Sequence, residues 1–301
     1  MTAQLAPFAS VVICTRNRAR SLGRTLDSLV AAAEWTSEPW ELIVVDNGSS
    51  DDTPATVHSF AGQLPVRLVA QPVPGLSNAR NAGVSAVRGE YVLWTDDDVV
   101  VDPQWLTAWF RAFRSRPDDS VFGGRTEPRF EEPQQDWFVA GQAHLQSLLA
   151  VRDADWSEVT EAQMPWGLNS AVRATEQRRH AYDPELGVAP GRRRGGEEVA
   201  VINAVLAEGG SGSWVWDATV YHLIPSDRQT KSYIVTFYTA HGFDDPITGY
   251  RGRRTALPMT IKALARSLIA VWRAGLRGEI DVAGLIDYAK AKGSLARLLR
   301  R

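Results

Sequence analysis

The sequence predicts an α/β protein, a mostly parallel sheet flanked by helices and followed by a helical tail. Three observations lead there. Short β-rich apolar runs recur through the first 125 residues, each followed by a segment of helical periodicity. Those runs are continuously apolar rather than alternating, as in strands buried on both faces. At 301 residues the chain can also bury a full core, in one large domain or two small ones.

In order, SVVICT (10–15) reads as a strand and RARSLGRTLDSLVAAAE (18–34) as a helix with Leu22, Leu26, Leu29 and Val30 on one face. ELIVVD (41–46) is a second strand, followed by the turn-rich NGSSDDTP and a short helix near 54–61. PVRLVAQ (65–71) is a third, and SNARNAGVSAVRG (77–89) a helix entered through Pro72, Pro74 and Gly75. YVLWT (91–95) is a fourth, DPQWLTAWFRAFRSRP (102–117) a helix with Pro103 in its first turn, and VFGG (121–124) a fifth strand. Beyond residue 126 the text turns irregular and acidic, with a helix expected at 139–152, a strand in WGLNSAVR (166–173) and a loop over 183–196. A helix at 197–209, one or two strands in SWVWDATVYH (213–222) and a helix at 230–242 follow. The remainder carries a helical stripe of Leu257, Ile261, Leu264, Leu268 and Trp272, then a last helix near 280–299.

Composition narrows the class. A hydrophobic fraction of 44% and a charged fraction of 23% are those of an ordinary soluble globular protein. The single cysteine, Cys14, excludes an intramolecular disulfide framework, suits a reducing compartment and reads as a buried structural thiol inside SVVIC. MTAQLAPFAS lacks the basic and apolar regions of a signal peptide, and no apolar run reaches the roughly 18 residues of a membrane span. The expected location is the cytoplasm. The net charge of −2 hides an asymmetry: residues 251–301 hold twelve Lys or Arg against Glu279, Asp281 and Asp287, so the tail is +9 and the rest −11. With its apolar stripe, such a tail fits peripheral contact with an anionic membrane at its inner face. A helical pair packed on the protein, its cations in solvent, fits equally.

In an open parallel sheet, ligands bind beyond the carboxyl ends of the strands. Thr15, Asp46 and Asp96–Asp98 fall there. Adjacent carboxylates repel one another unless a divalent cation is shared, and Mg²⁺ or Mn²⁺ takes a few hard oxygen ligands and fills its shell with water and phosphate oxygens. A solvated acidic loop, with Asp102 capping the next helix, is the competing account. Asp46 stands where it could face a nucleobase or simply start a turn. GLSNARNAG (75–83) is a helix entrance, which favours phosphate through free N–H groups, and Arg80 adds a fork of donors or points to solvent. Glu197 and Glu198 open a later helix, as a catalytic pair or as plain complements to its dipole. His222 ends a strand, where a lone histidine is most often structural. GxxxxGK[ST] is absent, which excludes a P-loop kinase.

As an ordered set over residues 9–242, these segments resemble family 2 glycosyltransferases of the GT-A (Rossmann-like) fold. VVICTRNRARSLGRTLDSL is similar to the family's opening strand and helix, ELIVVDNGSSDDT to its nucleotide-binding aspartate turn, and GLSNARNAGVSAVRGEYVLWTDDD to its helix plus DxD motif. WGLNSAVR, GGEEVAVINAVLAEGG and DATVYH resemble its acceptor-side half. The resemblance divides the chain into a nucleotide-sugar-binding half (1–125), an acceptor and catalytic-base half (126–245) and a basic amphipathic helical tail (246–301). It implies an inverting, metal-dependent transferase that moves a sugar from a nucleoside diphosphate sugar, UDP preferred, to a hydroxyl of a glycan or lipid-linked saccharide.

Carried over residue by residue, the resemblance puts Thr15, Arg16, Asn17 and Asp46 at the nucleotide, with Asn78 and Arg80 near base and phosphates. Asp96 and Asp97 approach the donor; Asp98, with Asp96 and His222, binds Mn²⁺ or Mg²⁺. Glu198, next to Glu197, is the base, a departure because the family has Asp there. Trp166 and Asn169 line the acceptor pocket. Arg192–Arg194, Arg228 and Lys231 suit a lid over the diphosphate or a solvated basic loop. A non-catalytic nucleotide-sugar-binding module and a sugar nucleotidylyltransferase are the rival readings; the latter's Gly-rich N-terminal loop is absent.

Overall fold

The structure, a computed structural model, describes residues 6–153, 155–191, 194–244 and 253–299. Two compact units are interleaved in sequence. The first takes residues up to Pro128 with Ala150–Pro190 and Gly196–Leu223; the second takes Arg129–Leu149, Gly191–Gly195 and the chain from Ile224 on.

The first unit is built on an eight-stranded sheet. Its strands are β1 Ala9–Thr15, β2 Trp40–Asp46, β3 Val66–Ala70, β4 Tyr91–Asp96, β5 Val99–Val101, β6 Val121–Phe130, β7 Asn169–Arg173 and β8 Gly212–Ile224, in the order β3-β2-β1-β4-β7-β6-β8-β5. The α/β class holds, and the sheet is mixed. β1 to β4 run parallel, whereas β7 is antiparallel to both β4 and β6, and β5 is antiparallel to β8. The run VFGG, read as one more parallel strand, belongs to this antiparallel half.

Alternation along the parallel strands explains their all-apolar text. Val11, Ile13, Leu42, Val44 and Leu93 face one layer, formed by α1 (Ala19–Ala33) through Leu22, Leu26 and Leu29 and by α4 (Trp105–Ser115) through Trp105, Trp109 and Phe113 once α2 (Thr53–Ser59) and α3 (Leu76–Ala86) are set between them in sequence. Val12, Ile43, Val45, Val92 and Trp94 face the other, with Ala79 of α3, Ala174, Tyr182 and Val201. Successive side chains alternate between two buried faces, so every position must be apolar. Thr25 is the buried polar exception on α1: its hydroxyl donates to Val99 O at 2.8 Å and fastens β5 to the helix.

The helix expected at 139–152 is broken, into α5 (Asp136–Gly141), a 3₁₀ turn at Gln142–His144 and α6 (Gln146–Leu149). After α7 (Ala174–Arg179) and α8 (Glu197–Ala207), the second unit holds α9 (Lys231–Asp244), α10 (Arg253–Leu276) and α11 (Val282–Leu299). α9 and α11 meet at Gly242, where an added Cβ would stand 2.1 Å from Lys290 O, so only glycine permits that crossing. Among the described residues no helix is long and apolar enough to cross a membrane.

Candidate active site

Register lines up the strand ends. Thr15 is level with Asp46, and Cys14 with Asp96, across the three neighbouring parallel strands β2, β1 and β4. The chain leaves β1 toward β2 on one side and returns to β4 on the other, the reversal at which α/β sheets open a crevice.

Three acids stand at the β4–β5 turn, and an arginine absent from the expected set offsets their repulsion. Arg18 Nη1 donates to Asp97 Oδ1 at 2.7 Å and to Asp98 Oδ2 at 2.8 Å. The other oxygen of Asp97 accepts from the Thr15 hydroxyl at 2.7 Å. Asp97 is therefore a buried clasp between β1 and the turn rather than a group held out to a donor. His222, level with Val99 across β5 and β8, puts Nε2 3.8 Å from Asp98 Oδ2. Half-buried Asp96 has its carboxyl pushed up to about 6, by burial first and then by Asp98, with Arg80 pulling the other way.

The loop after β2 is tied to β1 by Asn17. Its φ of 53° is left-handed, a conformation asparagine tolerates better than most residues. There its Oδ1 accepts from Ser50 N at 2.7 Å and its N–H donates to Ser49 Oγ at 2.9 Å. Asp46 Oδ1 accepts from Ser49 N at 2.9 Å, which fixes the carboxylate at the strand end. Arg16 is half-buried at the same exit. Buried Asn47, also absent from the expected set, donates to Gln71 O and Val73 O and accepts from Gly75 N, stapling the β3 exit to the start of α3. Asn78 folds back on that start, its Nδ2 donating to Pro74 O at 3.1 Å.

Arg80 departs most from expectation. It is 4% exposed, between the rings of Trp94 and Tyr182 at 5.5 and 5.4 Å from their centroids. Its Nη1 is 3.7 Å from Glu197 Oε1, and no hydrogen-bond partner reaches that nitrogen. Burial opposes its charge, but Glu197 first, then Tyr182, Glu198 and Asp96, outweigh it. Gly167 makes room: a Cβ there would lie 2.5 Å from Arg80 Nη2.

Glu197 and Glu198 start α8 behind Gly196, whose φ is 87°. Glu197 is buried, and burial followed by the Glu198 charge pushes its carboxyl up to about 7 against Arg80. Glu198 is half-exposed. Cys14, on β1 level with Asp96, has its thiol pushed up to about 12 by burial, which disfavours the thiolate.

The two residues expected at the acceptor are both tied into the fold. Asn169 is 0% exposed; its Oδ1 accepts from Trp105 Nε1, and its Nδ2 donates to Arg125 O and Ala218 O. That locks β7 to its neighbours and uses both amide N–H groups. Trp166 donates to Val151 O, and its ring is stacked under Arg152 at 4.0 Å. Of the expected lid, Arg192 and Arg193 lie outside the described residues, while Arg194, Arg228 and Lys231 belong to the second unit.

Among the described residues no three His, Cys, Asp or Glu side chains converge tightly enough to hold a metal unaided. The donor set nonetheless suits a hard divalent ion: two carboxylates, one of them with a raised pKa, and an imidazole.

The family model for glycosyl transferase family 2 matches residues 10–156. Over that stretch, just under half of the chain, the sequence is similar to the family. It is 31% identical over 155 residues to validoxylamine A glucosyltransferase of Streptomyces hygroscopicus, covering 50% of this chain and 36% of the relative. The succinoglycan biosynthesis protein ExoM of Rhizobium meliloti is 25% identical over 232 residues, 74% of this chain and 69% of the relative. The chain spans only about a third of the first of these, as it does of a second validoxylamine A glucosyltransferase. Among solved structures, mannosyltransferase PcManGT of Pyrobaculum calidifontis, with GDP-Man and Mn²⁺, superimposes with a TM-score of 0.61 at 16% identity, over 98% of this chain and 88% of that one. Residues 1–349 of S. aureus TarS, with UDP-GlcNAc, give 0.53 at 14% identity over 96% and 91%. At such identities the likeness is one of fold, and that fold is the GT-A glycosyltransferase fold.

Proposed function

We propose that this protein is a family 2 glycosyltransferase that moves a sugar from a nucleoside diphosphate sugar, UDP preferred, onto a hydroxyl of a glycan or lipid-linked saccharide, inverting the anomeric centre. One observation carries the reading. The buried guanidinium of Arg80 lies 5.5 Å from the ring of Trp94, two residues before Asp96 on β4, and 3.7 Å from Glu197 at the start of α8, so donor-side and base-side carboxylates share one region of one compact unit. Neighbours of the same fold hold GDP-Man or UDP-GlcNAc.

In this reading Asp46 accepts from a ring N–H of the base, its carboxylate pre-set by Ser49. Asp96, Asp98 and His222 hold the divalent ion. When bound, that ion offsets the negative charge that grows on the leaving diphosphate. Glu198, the half-exposed member of its pair, takes the proton from the acceptor hydroxyl. That oxygen bonds to the anomeric carbon as the carbon–oxygen bond to the diphosphate breaks on the opposite face. Glutamate reaches one methylene further than the family's aspartate, so the acceptor oxygen stands correspondingly further from α8. Glu197, paired with Arg80, holds the start of that helix. A nucleotide-sugar donor and a lone free thiol also fit a cytoplasmic setting.

The test is release of nucleoside diphosphate from a panel of donors, with and without candidate acceptors and with Mn²⁺ or Mg²⁺. Acceptor-dependent release is expected. Binding of donors without turnover on any acceptor points instead to a binding module, and release of pyrophosphate to a nucleotidylyltransferase.

A further inference from the structure

α10 is inside out. Its fully buried positions are small, Ala256, Thr260, Ser267 and Ala274, and Leu257, Leu264 and Val271 are half-buried, whereas most of its other large apolar residues face solvent. Ile261, Leu268, Trp272 and Leu276 are 51%, 49%, 64% and 68% exposed. Spaced at steps of seven, four and four, they form one stripe about 22 Å long at 1.5 Å per residue. Exposed Lys262, Arg266 and Arg273 border it, and the helix's 24 residues contain no acid. A solvent-exposed stripe of this size, with a tryptophan in it, marks a surface that something covers.

We infer that α10 lies on an anionic lipid surface, its stripe sunk to the headgroup–acyl boundary and its cations at headgroup level. Charge selects this occupant. Residues 251–301 carry +9, and the stripe is bordered by cations, so a second copy docked face to face would bring like charges together. An anionic bilayer meets both demands at once, since apolar burial and attraction of Lys and Arg act along the same face. Tryptophan suits that boundary through its amphipathic ring. This inference does not depend on the transferase reading.

Flotation of the full chain with vesicles tests it. The protein is expected to float with phosphatidylcholine mixed with phosphatidylglycerol, to stay behind with phosphatidylcholine alone, and to be released by salt. Trp272→Ser combined with Leu276→Ser should weaken the partition by about tenfold or more. Lys262→Gln combined with Arg273→Gln should weaken it about thirtyfold, at about fivefold per cation near an anionic surface. All four residues are exposed, so both variants should melt like the parent by circular dichroism. No flotation with anionic vesicles overturns the inference, as do equal flotation on neutral ones and variants that float like the parent. Sedimentation velocity showing a dimer that the Trp272/Leu276 variant abolishes, without flotation, would assign the face to a second copy instead.

Discussion

The molecule holds two acid clusters, the Asp96–Asp98 turn after β4 and the Glu197–Glu198 start of α8, and they are built alike. In each, an arginine holds buried acid: Arg18 holds Asp97 and Asp98, and Arg80 holds Glu197. In each, a neighbouring acid is only half-buried, Asp96 at the turn and Glu198 on the helix. The clusters differ in how tightly the arginine grips. Arg18 makes two charge-assisted hydrogen bonds under 3 Å, whereas Arg80 stays 3.7 Å from its acid and leaves Nη1 without a hydrogen bond. The difference teaches that the turn is a closed clasp, while the base-side pair is held by charge at a distance and is the looser of the two.

The comparison can be broken in four places. Glu198→Gln should lower kcat by about 10²–10⁴-fold, the usual contribution of a general base, with donor binding unchanged. A loss under about tenfold in single-turnover assays would remove Glu198 from the chemistry, and an equal loss in Glu197→Gln would erase the division of labour within the pair.

The second test uses pH. Glu197 ionises near 4.5 when unfolded and near 7 when folded, so the folded state keeps the extra proton between those values. Its contribution to stability is full below 4.5 and is lost as pH rises through 7, roughly 3 kcal/mol in all. Denaturant unfolding across that window should show the fall, and Glu197→Gln should flatten it.

Third, Asp97→Asn keeps an acceptor for Thr15 but takes the charge from Arg18's partner. It is expected to cost about 2 kcal/mol, visible as a lower melting temperature. A variant as stable as the parent would show that the clasp is ornamental. Last, Cys14→Ala, which touches the surroundings of both clusters, should change kcat by less than about twofold.

Much of this was legible in the chain. β1, β2 and β4 were readable because burial on both faces keeps most of their positions apolar, and the helix of Leu22, Leu26 and Leu29 because its stripe has period 3.6. β5 was not readable. Three valines after three acids look like the tail of one run, and their strand character comes from pairing with Val220–His222, far along the chain. The antiparallel sense of β6 and β7 was hidden for the same reason, since both faces are buried whichever way a strand runs. At the site, Asp46 and the acid triplet stood out because charge at the end of an apolar strand is conspicuous. Arg18 and Asn47 did not, because an arginine at a helix start and an asparagine before glycine look like routine surface and turn chemistry. Asn169 misled for the opposite reason: a polar residue in a strand invites a functional reading, and only three-dimensional packing reveals its three backbone and indole partners.

The pairing of Val99 with His222 has a consequence for how the protein is made. The acid turn emerges from the ribosome with Thr15 and Arg18 already available, so its inner clasp can close early. Its outer border waits until more than 120 further residues, β8 among them, have been synthesised. Until then the turn beside Asp98 has an open edge and no imidazole. A nascent chain can therefore close the Thr15–Arg18–Asp97 clasp well before His222 reaches Asp98, and, if the proposed roles hold, a fragment ending before β8 should bind donor without responding to added Mn²⁺.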